Sequence, residues 1–581
     1  MMRSLLLAAL VQQVVMALAV TVPMQIIHIN DNHGRFEVND QYYSPCGSDI
    51  STCFGGFAKQ QAMADIIKAG AQAAGHDVLF LHAGDEFTGT VWDYVYVRKG
   101  NMAPAANFVN QLGLDAFTLG NHEFDYGPEL TSYFLSNLTV PVVSCNTDVS
   151  KEPALQGLFQ PYVIKTLPIS GVKVGIVGFI TAETNISASP GPNVKFAEPT
   201  AVVGQCVAAA KAAGAEIVIA LTHIGYNHDV ALAQHPDAQG LDLIVGGHSH
   251  TLLYNGNPPN ILKDGTPESA VVPGGYPTMV TNNGTGKQIP VVQALWASRY
   301  LGSLRVDFTP GAGAMIYPSN PILLGDTNST HYVFSNVWVA GQVADVKGPV
   351  DAATNDIVGQ ASVLLDGARA DIRNKETNLG DIITDSLVWY ATVKEHFLSQ
   401  YPNTPVIGHY NGGGIRSSIP VGPITYGEVI TTLPFGDTLY VTMINSSTLL
   451  AALNSGVSQW TGDTESAGRF PQVSGLRFSF NSSAPAASRV IRAQLLHNNQ
   501  TIEVSTYTGQ IIAVMIEYVA TGGDGYSMFA DTPVLQNSAV PTDEILAQYL
   551  PTISPVTTGV QGRIVNCAAG FDPTNPLCQP L

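Results

Sequence analysis

Charge is scarce in this chain of 581 residues, and positive charge is the scarcer sign. Charged side chains make up 12% of the sequence, and 26 Lys and Arg against 45 Asp and Glu give a formal net charge of −19. Binding to nucleic-acid polymers or to anionic lipid requires basic surface, so we expect neither partner. Hydrophobic residues at 45% exclude a disordered chain. A chain of this length favours two domains of about 200–300 residues each.

Long hydrophobic runs are also nearly missing. One lies at 5–20, after Arg3; two glutamines interrupt it, and Ala-Leu-Ala at 17–19 forms a small-x-small motif. This pattern predicts a cleaved signal peptide, residues 1–19, and the short, interrupted run disfavours the alternative of a membrane anchor. The C-terminal sequence NPLCQPL lacks the hydrophobic tail that directs lipid anchoring. We therefore expect a secreted protein that does not bind a membrane.

Two further features agree with an oxidising, extracellular compartment. Of only six cysteines, two pairs enclose short segments and are predicted to form local disulfides, Cys46 with Cys53 and Cys567 with Cys578. Cys145 and Cys206 are either a disulfide or two small buried thiols. Seven Asn-x-Ser/Thr sequons predict a glycoprotein in which several sites are used. They begin at Asn137, Asn185, Asn283, Asn328, Asn445, Asn481 and Asn499.

The order of apolar segments predicts an α/β fold in two units. From about residue 23 to 320, short apolar strands alternate with Ala-rich helical stretches at 56–74 and 200–214. A linker at 321–351 contains a helix that is expected to end near Gly348 and Pro349. A second α/β unit is predicted at 352–560, and a disulfide-pinned tail at 561–581.

Five apolar, strand-like segments each stop at a side chain that can bind a metal. The segments are MQIIHIN, DVLFLHAG, AFTLG, EIVIALT and LDLIVGG. The residues at their ends are Asp31 and His33, Asp85, Asn121 and His122, His223, and His248 and His250. Because sites in open α/β sheets form beyond the carboxyl ends of strands, we expect the ligands to meet at one edge of one sheet. Asp, His and Asn together are typical of paired divalent cations used in hydrolysis.

The spacing of these residues indicates how two cations are shared. Asp31 and His33 stand at i and i+2, which places both on one face of an extended chain. Asp85 follows Gly84, which permits a sharp turn, and its carboxylate can bridge two cations about 4 Å apart. Three other histidines are expected to be ordinary polar residues. These are His28, His82 and His228.

The ordered motifs DNHGR, AGD, GNHEFD, THIG and GGHSH resemble those of the dinuclear metallophosphoesterases, and specifically the secreted or periplasmic 5′-nucleotidase family. The resemblance covers the mature chain and implies an N-terminal sandwich of two sheets flanked by helices, a linker helix and a substrate-binding C-terminal domain. It implies that one metal is held by Asp31, His33, Asp85 and His250, and the other by Asp85, Asn121, His223 and His248. We expect zinc, with Mn, Co or Fe as alternatives. The position of His250 is Asn or Gln in the family, so the metal preference is expected to differ while the site is kept.

The GNHEFD motif adds a catalytic pair. His122 follows the ligand Asn121, and Asp125 lies three residues on, where it orients the ring or caps a helix. In the family, the matching His stabilises charge on the phosphate and the leaving group. Arg35 is either a phosphate contact or a surface residue. The implied reaction is in-line attack of a metal-activated hydroxide on phosphorus, without a covalent intermediate.

The motifs NGGGIR, LPFGD and TGGDGY of the second unit suit a nucleotide. Glycine turns let backbone approach a ligand, arginines grip phosphate or carboxylate, aromatic rings stack on a base, and an aspartate accepts from a ribose diol. The resemblance implies a nucleoside pocket that closes over the metals by domain rotation. Its residues are Arg373, Asn411, Arg416, Phe435, Tyr518 and Asp524, with Tyr518 where Phe is common in the family.

The function that these patterns predict is a secreted, metal-dependent hydrolase that releases phosphate from nucleoside 5′-monophosphates. A close alternative is a broader nucleotide hydrolase that acts on UDP-sugars, nucleoside di- or triphosphates, or 2′,3′-cyclic nucleotides. A non-catalytic nucleotide-binding protein is a different class, and the complete ligand set with His122 and Asp125 disfavours it. The sequence leaves the oligomeric state open.

Overall fold

The computed structural model describes residues 21–40, 43, 46, 53–259, 273–311, 313–325, 331–394, 396–463, 466–568 and 575–579. The predicted signal peptide and the sequon at Asn328 lie outside these residues. Among the described sequons, Asn481 is half-buried and the other asparagines are exposed. Within the described part of the chain, no helix is long and apolar enough to cross a membrane.

Two β-sheets face each other in residues 22–323, the N-terminal unit. In spatial order, the first sheet contains Gly313–Ile316, Tyr300–Thr309, Val22–Ile29, Asp77–His82, Ala116–Thr118 and Val142–Val143, with Ile322–Leu323 beside Tyr300–Thr309. The second sheet contains Thr278–Thr281, Gln288–Val292, Leu243–Val245, Ile217–His223, Lys173–Ile180 and Tyr162–Thr166. Apolar side chains of both sheets, among them Ile26, Ile176 and Ile219, form one buried core. Strands covered on both faces carry the continuous apolar runs that the sequence shows.

Helices cover the outer faces of both sheets. Phe57–Ala73, Ala103–Gln111 and Gly127–Ser136 pack on the first sheet, and Pro199–Ala212 and Tyr226–Gln234 pack on the second. Buried Phe57, Phe108 and Phe134 belong to the core outside the first sheet. The layered order helix, sheet, sheet, helix confirms the predicted α/β sandwich.

The pairing register brings the carboxyl ends of the strands level. Ile29 pairs with His82 and His82 with Phe117 in the first sheet, and Ile180 pairs with His223 in the second. The candidate ligands follow ends in both sheets, so the expectation that they meet at the edge of one sheet is wrong. An apolar run has the same pattern whichever of two facing sheets it joins, and only the tertiary pairing distinguishes them.

Two helices, not one, connect the units. Val337–Val346 is followed after Lys347 by Gly348–Thr354. The first helix thus ends near Gly348, as predicted, and Pro349 lies in the first turn of the second helix, where proline is tolerated.

The described residues of the C-terminal unit, 357–566, form three sheets. The largest has the spatial order Pro471–Ser474, Val406–Asn411, Ile511–Ile516, Thr438–Ile444 and Val534–Pro541. The second has Gln500–Glu503, Val490–His497, Leu476–Phe480 and Ile564–Asn566, and Ile357–Ala361 pairs with Gly422–Thr425. The longer helices are Asn378–Trp389, Tyr426–Thr432, Ser446–Val457 and Thr542–Ile553, and the short ones are Arg369–Ile372 and Glu517–Ala520. Ile564–Asn566 thus belongs to a sheet, although the sequence assigns its segment to a tail.

Three disulfides link the described cysteines. Two are the predicted local bridges, Cys46–Cys53 and Cys567–Cys578. The third joins Cys145 to Cys206, which the sequence left open between a bridge and two thiols. It ties the helix Pro199–Ala212 to the segment that follows the strand Val142–Val143.

Candidate active site

The candidate metal ligands lie on strained turns between strands. Five of them have left-handed backbone conformations: Asp31, His33, Asp85, His248 and His250, with φ between 50° and 76°. Such conformations cost about 1–3 kcal/mol each and persist only where surrounding structure enforces them. The extended geometry assumed for Asp31 and His33 is therefore not observed, and a left-handed turn brings their side chains together instead.

One group of donors consists of Asp31, His33 and His250. Nε2 of His250 lies 3.3 Å from Oδ1 of Asp31 and 3.1 Å from Nε2 of His33. Asp31 and His33 are fully buried, and His250 is 7% exposed. Three donors from two sheets thus converge on one point, as a bound cation requires.

A second group consists of Asp85, His223 and His248. Nε2 of His223 is 2.9 Å from Oδ2 of Asp85, and Nδ1 of His248 is 2.9 Å from Oδ1 of Asn121. The same Oδ2 of Asp85 lies 3.7 Å from Nε2 of His33 in the first group. Asp85 therefore stands between the groups, in the position of a bridging carboxylate.

The protonation of the rings fits metal binding. Nδ1 of His33 donates to the carbonyl of Thr88 at 2.8 Å, and Nδ1 of His223 donates to that of Ala83 at 2.6 Å. These bonds orient both rings with Nε2 toward the carboxylates. Burial lowers the pKa of His33, and likewise of His248 and His250, well below the usual value, so these rings are neutral ligands at pH 7.

The buried carboxylates of Asp31 and Asp85 require positive charge nearby. Burial raises the pKa of Asp31 to about 6, with repulsion from Asp85 adding to the shift. Burial disfavours a charged His223, yet the carboxylates of Asp85 and Asp31 raise its pKa to about 10. A protonated His223 supplies part of this charge, and two desolvated carboxylates beside three neutral imidazoles fit a pair of divalent cations, so the donor set suits the group that the resemblance implies.

His122 and Asp125 form the expected pair beside the ligands. Nδ1 of His122 donates to Oδ2 of Asp125 at 2.6 Å, and Nε2 of His122 lies 4.0 Å from Oδ2 of Asp85. The backbone N–H of His122 also donates to Asp85 at 2.9 Å. The ring is thus held in one orientation with Nε2 facing the metal ligands.

Glu123 is a residue of this site that the sequence did not reveal. Its carboxylate accepts hydrogen bonds from the backbone N–H groups of Asp85, Glu86 and Gly120, at 3.0, 2.8 and 2.6 Å. It therefore ties the turn that carries Asp85 to the turn that carries Asn121. The GNHEFD motif contains Glu123, but its role depends on contacts with a distant segment.

One cavity of about 570 Å³ joins the candidate metal ligands to the C-terminal unit. Its N-terminal lining includes Asp85, Asn121, His122, Asp125, His248 and His250, and its C-terminal lining includes Arg373, Asn411, Arg416, Phe435, Tyr518 and Asp524. The volume suits a small ligand, for which pockets of roughly 300–1,000 Å³ are usual. The six residues that the resemblance assigns to the nucleoside pocket thus share one cavity with four of the candidate metal ligands.

Asp524, Tyr518 and Phe435 belong to the C-terminal lining of this cavity. Asn411 Nδ2 donates to Asp524 at 2.6 Å, and the backbone N–H of Asp524 donates to the hydroxyl of Tyr518 at 3.2 Å. Burial raises the pKa of Asp524, and the hydrogen bond from Asn411 opposes the shift. Phe435 faces the other unit, with its ring centroid 5.6 Å from that of His122.

The arginines do not all occupy the expected positions. Nη2 of Arg416 donates to Nε2 of His33 at 3.3 Å and therefore reaches the ligands. Arg35 is buried behind His33, donates to the His33 carbonyl at 2.7 Å and lies over Trp296, so the structure does not bring it among the residues that line the cavity. Arg369 does line the cavity. The sequence reading missed Arg369, although it stands four residues before Arg373.

Comparison with family models gives the class of the protein. Residues 24–252 match the calcineurin-like phosphoesterase model, and residues 357–531 match the model of the 5′-nucleotidase C-terminal domain. The chain is therefore a two-unit phosphoesterase of the calcineurin-like class.

Whole-length relatives identify the family. The chain is 33% identical over 556 residues to a 5′-nucleotidase of Mus musculus, covering 94% of this chain and 91% of the relative. It is 31% identical over 552 residues to an apyrase of Tabanus yao, covering 93% of each chain. The crystal structure of a 5′-nucleotidase precursor from Thermus thermophilus superposes with a TM-score of 0.81 at 34% identity, covering 94% of this chain and 99% of that one. This chain belongs to the 5′-nucleotidase family.

Proposed function

We propose that this protein is a metal-dependent 5′-nucleotidase that hydrolyses nucleoside 5′-monophosphates to nucleoside and phosphate. The observation that carries the proposal is the single cavity that joins a two-cation ligand set to Phe435, Tyr518 and Asp524. The 5′-nucleotidases among its relatives match it over nine-tenths of its length. The substrate class is therefore a small nucleotide.

In the proposed complex, residues of the C-terminal unit bind the nucleoside and the phosphate. Phe435 and Tyr518 offer ring faces for the base, and Asp524, fixed by Asn411, accepts hydrogen bonds from the ribose diol. Arg373 and Arg416 bind the phosphate between the nucleoside residues and the metal ligands. This arrangement positions the phosphorus next to His122.

Within the reaction, His122 and Asp125 act on charge at the phosphate. The hydrogen bond from Nδ1 to Asp125 holds the ring so that Nε2 can contact a phosphoryl or leaving oxygen. Such preorganised groups stabilise charge that develops in the transition state. His122 is thus the catalytic residue, and Asp125 the residue that positions it.

The metal ligands form two sets that share Asp85. Asp31, His33, Asp85 and His250 would hold one cation, and Asp85, Asn121, His223 and His248 the other. When bound, such a pair polarises the phosphate and activates water for attack. Imidazole-rich sets suit zinc, and Mn, Co or Fe are alternatives.

A broader nucleotide hydrolase is the second candidate. A relative of similar identity, that of Tabanus yao, is named apyrase. The cavity is also lined by Glu183, Gln459 and Trp460, which are not among the residues assigned to the nucleoside. Both observations favour tests on substrates larger than a monophosphate.

The proposal is tested by measuring phosphate release from AMP, ATP, UDP-glucose and a 2′,3′-cyclic nucleotide. Each substrate is assayed with the chelated protein and with the protein after its metal is restored. We expect metal-restored protein to favour AMP, and Asp85→Asn, matched in size, to abolish nearly all of this activity. Equal rates on AMP and ATP would favour the broader hydrolase. No release from any substrate with Zn, Mn, Co or Fe would leave only a nucleotide-binding protein.

Extracellular location is a further part of the proposal. It is supported by three disulfides and by the exposure of the asparagines in most described sequons. Recovery of a glycosylated protein, cleaved after the leader, from the medium of expressing eukaryotic cells tests it. Retention inside the cells without glycan would contradict it.

A further inference from the structure

Trp296 lies directly behind His250, a candidate ligand of the first group. Their ring centroids are 4.5 Å apart at an interplanar angle of 16°, which is a stacked arrangement. The edge of the His33 ring also meets Trp296, at 5.7 Å and 79°. Trp296 is 5% exposed. It contacts two ligands of one candidate cation from the protein interior.

Trp296 is itself held from behind by further flat groups. Tyr43 lies 4.3 Å from Trp296 between ring centroids, and the Arg299 guanidinium lies 3.7 Å above the Tyr43 ring. Arg35 lies 4.8 Å from the centroid of Trp296. These contacts extend the stack from His250 through Trp296 and Tyr43 to Arg299, so the indole has little freedom to move.

The turn that carries Trp296 is strained and tied to the ligand segments. Leu295, Ala297 and Ser298 have φ of 63°, 58° and 58°, in the left-handed region that costs free energy for residues with a Cβ. The N–H of Ala297 donates to the carbonyl of Asp31 at 2.8 Å. The N–H of Leu295 donates at 2.9 Å to the carbonyl of Thr251, the residue after His250. The turn thus joins both segments of the first ligand group.

We infer that Trp296 is a positioning residue that fixes the imidazole of His250 for metal binding. Stacking restricts rotation of the ring, so binding does not have to order it. Groups behind metal ligands typically change metal affinity by about 10–100-fold when removed. The inference rests on the two-cation site of the proposed function, but it concerns affinity at one of the two cations and not turnover.

This role is tested by titrating the folded, metal-free protein with zinc. A chromophoric chelator competes for the zinc and reports the two dissociation constants. We expect Trp296→Leu to weaken one of two dissociation constants by about 10–100-fold and to leave the other within about threefold. Trp296→Phe keeps a stacking ring and is expected to restore most of the affinity. The control is Trp92→Leu, because Trp92 is 4% exposed and packs on Phe36 and Phe108 instead of candidate ligands.

A double-mutant cycle shows whether the effect acts through His250. In the His250→Asn background, where no imidazole remains to be positioned, Trp296→Leu is expected to change zinc affinity by less than about threefold. Unchanged constants in Trp296→Leu, equal weakening in Trp92→Leu, or an undiminished loss in the His250→Asn background would overturn the inference. If Trp296→Leu does not fold, Trp296→Met, which also lacks a stacking ring, replaces it in both backgrounds. A wild-type protein that binds no zinc would instead contradict the proposed function.

Discussion

Arg98 of the N-terminal unit lies 3.3 Å from the carboxylate of Asp543 in the C-terminal unit. The same guanidinium donates to the carbonyls of Leu433 and Pro434, immediately before Phe435. Gly436 leaves room for it, since a Cβ there would approach Nη1 to 3.0 Å. The Arg98 side chain therefore holds the turn with Phe435 against the N-terminal unit, which contains the candidate metal ligands.

Replacing Arg98 by Ala is expected to raise KM for AMP, because the turn with Phe435 loses its link to the other unit. The benchmark is Phe435→Ala, which removes stacking worth about 1–3 kcal/mol and should raise KM by about tenfold or more. Both variants are expected to hydrolyse a simple aryl phosphate at nearly the wild-type rate. The exposed neighbour Lys99, changed to Ala, is the control for lost charge. Equal losses on AMP and on the aryl phosphate would contradict a role in nucleoside binding.

Replacing His122 by Gln is expected to lower kcat for AMP by about 100–1,000-fold, because it removes a preorganised group next to the phosphate. Asp125→Asn keeps the ring but weakens its orientation, so a loss of about 10–100-fold is expected. Steady-state kinetics measure both losses, and metal content by mass spectrometry should remain at the wild-type value. A variant at position 122 with normal kcat would exclude the assigned role.

Chelation is expected to lower the midpoint of thermal unfolding, because Asp31 and Asp85 then repel each other in a buried site whose backbone is strained. Added zinc should restore the midpoint in proportion to the logarithm of its free concentration. Differential scanning calorimetry measures the change. The Asp85→Asn variant supplies the control, since its midpoint should respond less to chelator and to zinc. A midpoint that does not respond to either in the wild type would contradict a metal site.

Asp381 is expected to make the protein less stable as pH rises from about 4 to 8. It is buried near Arg563, whose Nε lies 3.4 Å from its carboxylate, and burial raises its pKa to about 8, with Glu376 assisting and Arg563 opposing. The folded protein therefore keeps a proton that the unfolded chain loses above about pH 4, so the free energy of unfolding falls across this window. Asp381→Asn, which stays neutral, should flatten the fall and stabilise the protein near pH 8.

Thermal midpoints between about pH 5 and 8 measure this effect. Asp345→Asn, at an exposed position of the helix Val337–Val346, is the matched control and should keep the wild-type pH dependence. An unchanged slope in Asp381→Asn would show that Asp381 holds no proton in the folded protein.

The sequence alone was sufficient to predict the α/β class and to propose both groups of candidate residues. Apolar runs that end in Asp31, Asp85 or His223 are local patterns, and strand ends are where side chains can reach a common ligand. The glycine-rich turns around Asn411 and Asp524 are equally local. These features depend on neighbours in the chain, so they are visible without a structure.

The tertiary structure decided which sheet each strand joins, the left-handed turns at the ligands and the burial of Arg35 behind His33. It also showed the contacts of Glu123, Arg98 and Trp296, whose partners lie far away in the chain. Trp296 follows His250 by 46 positions, the difference between the two residue numbers. A stack of this kind leaves no periodic pattern, because it depends on the packing of whole layers and not on the spacing of residues in one element.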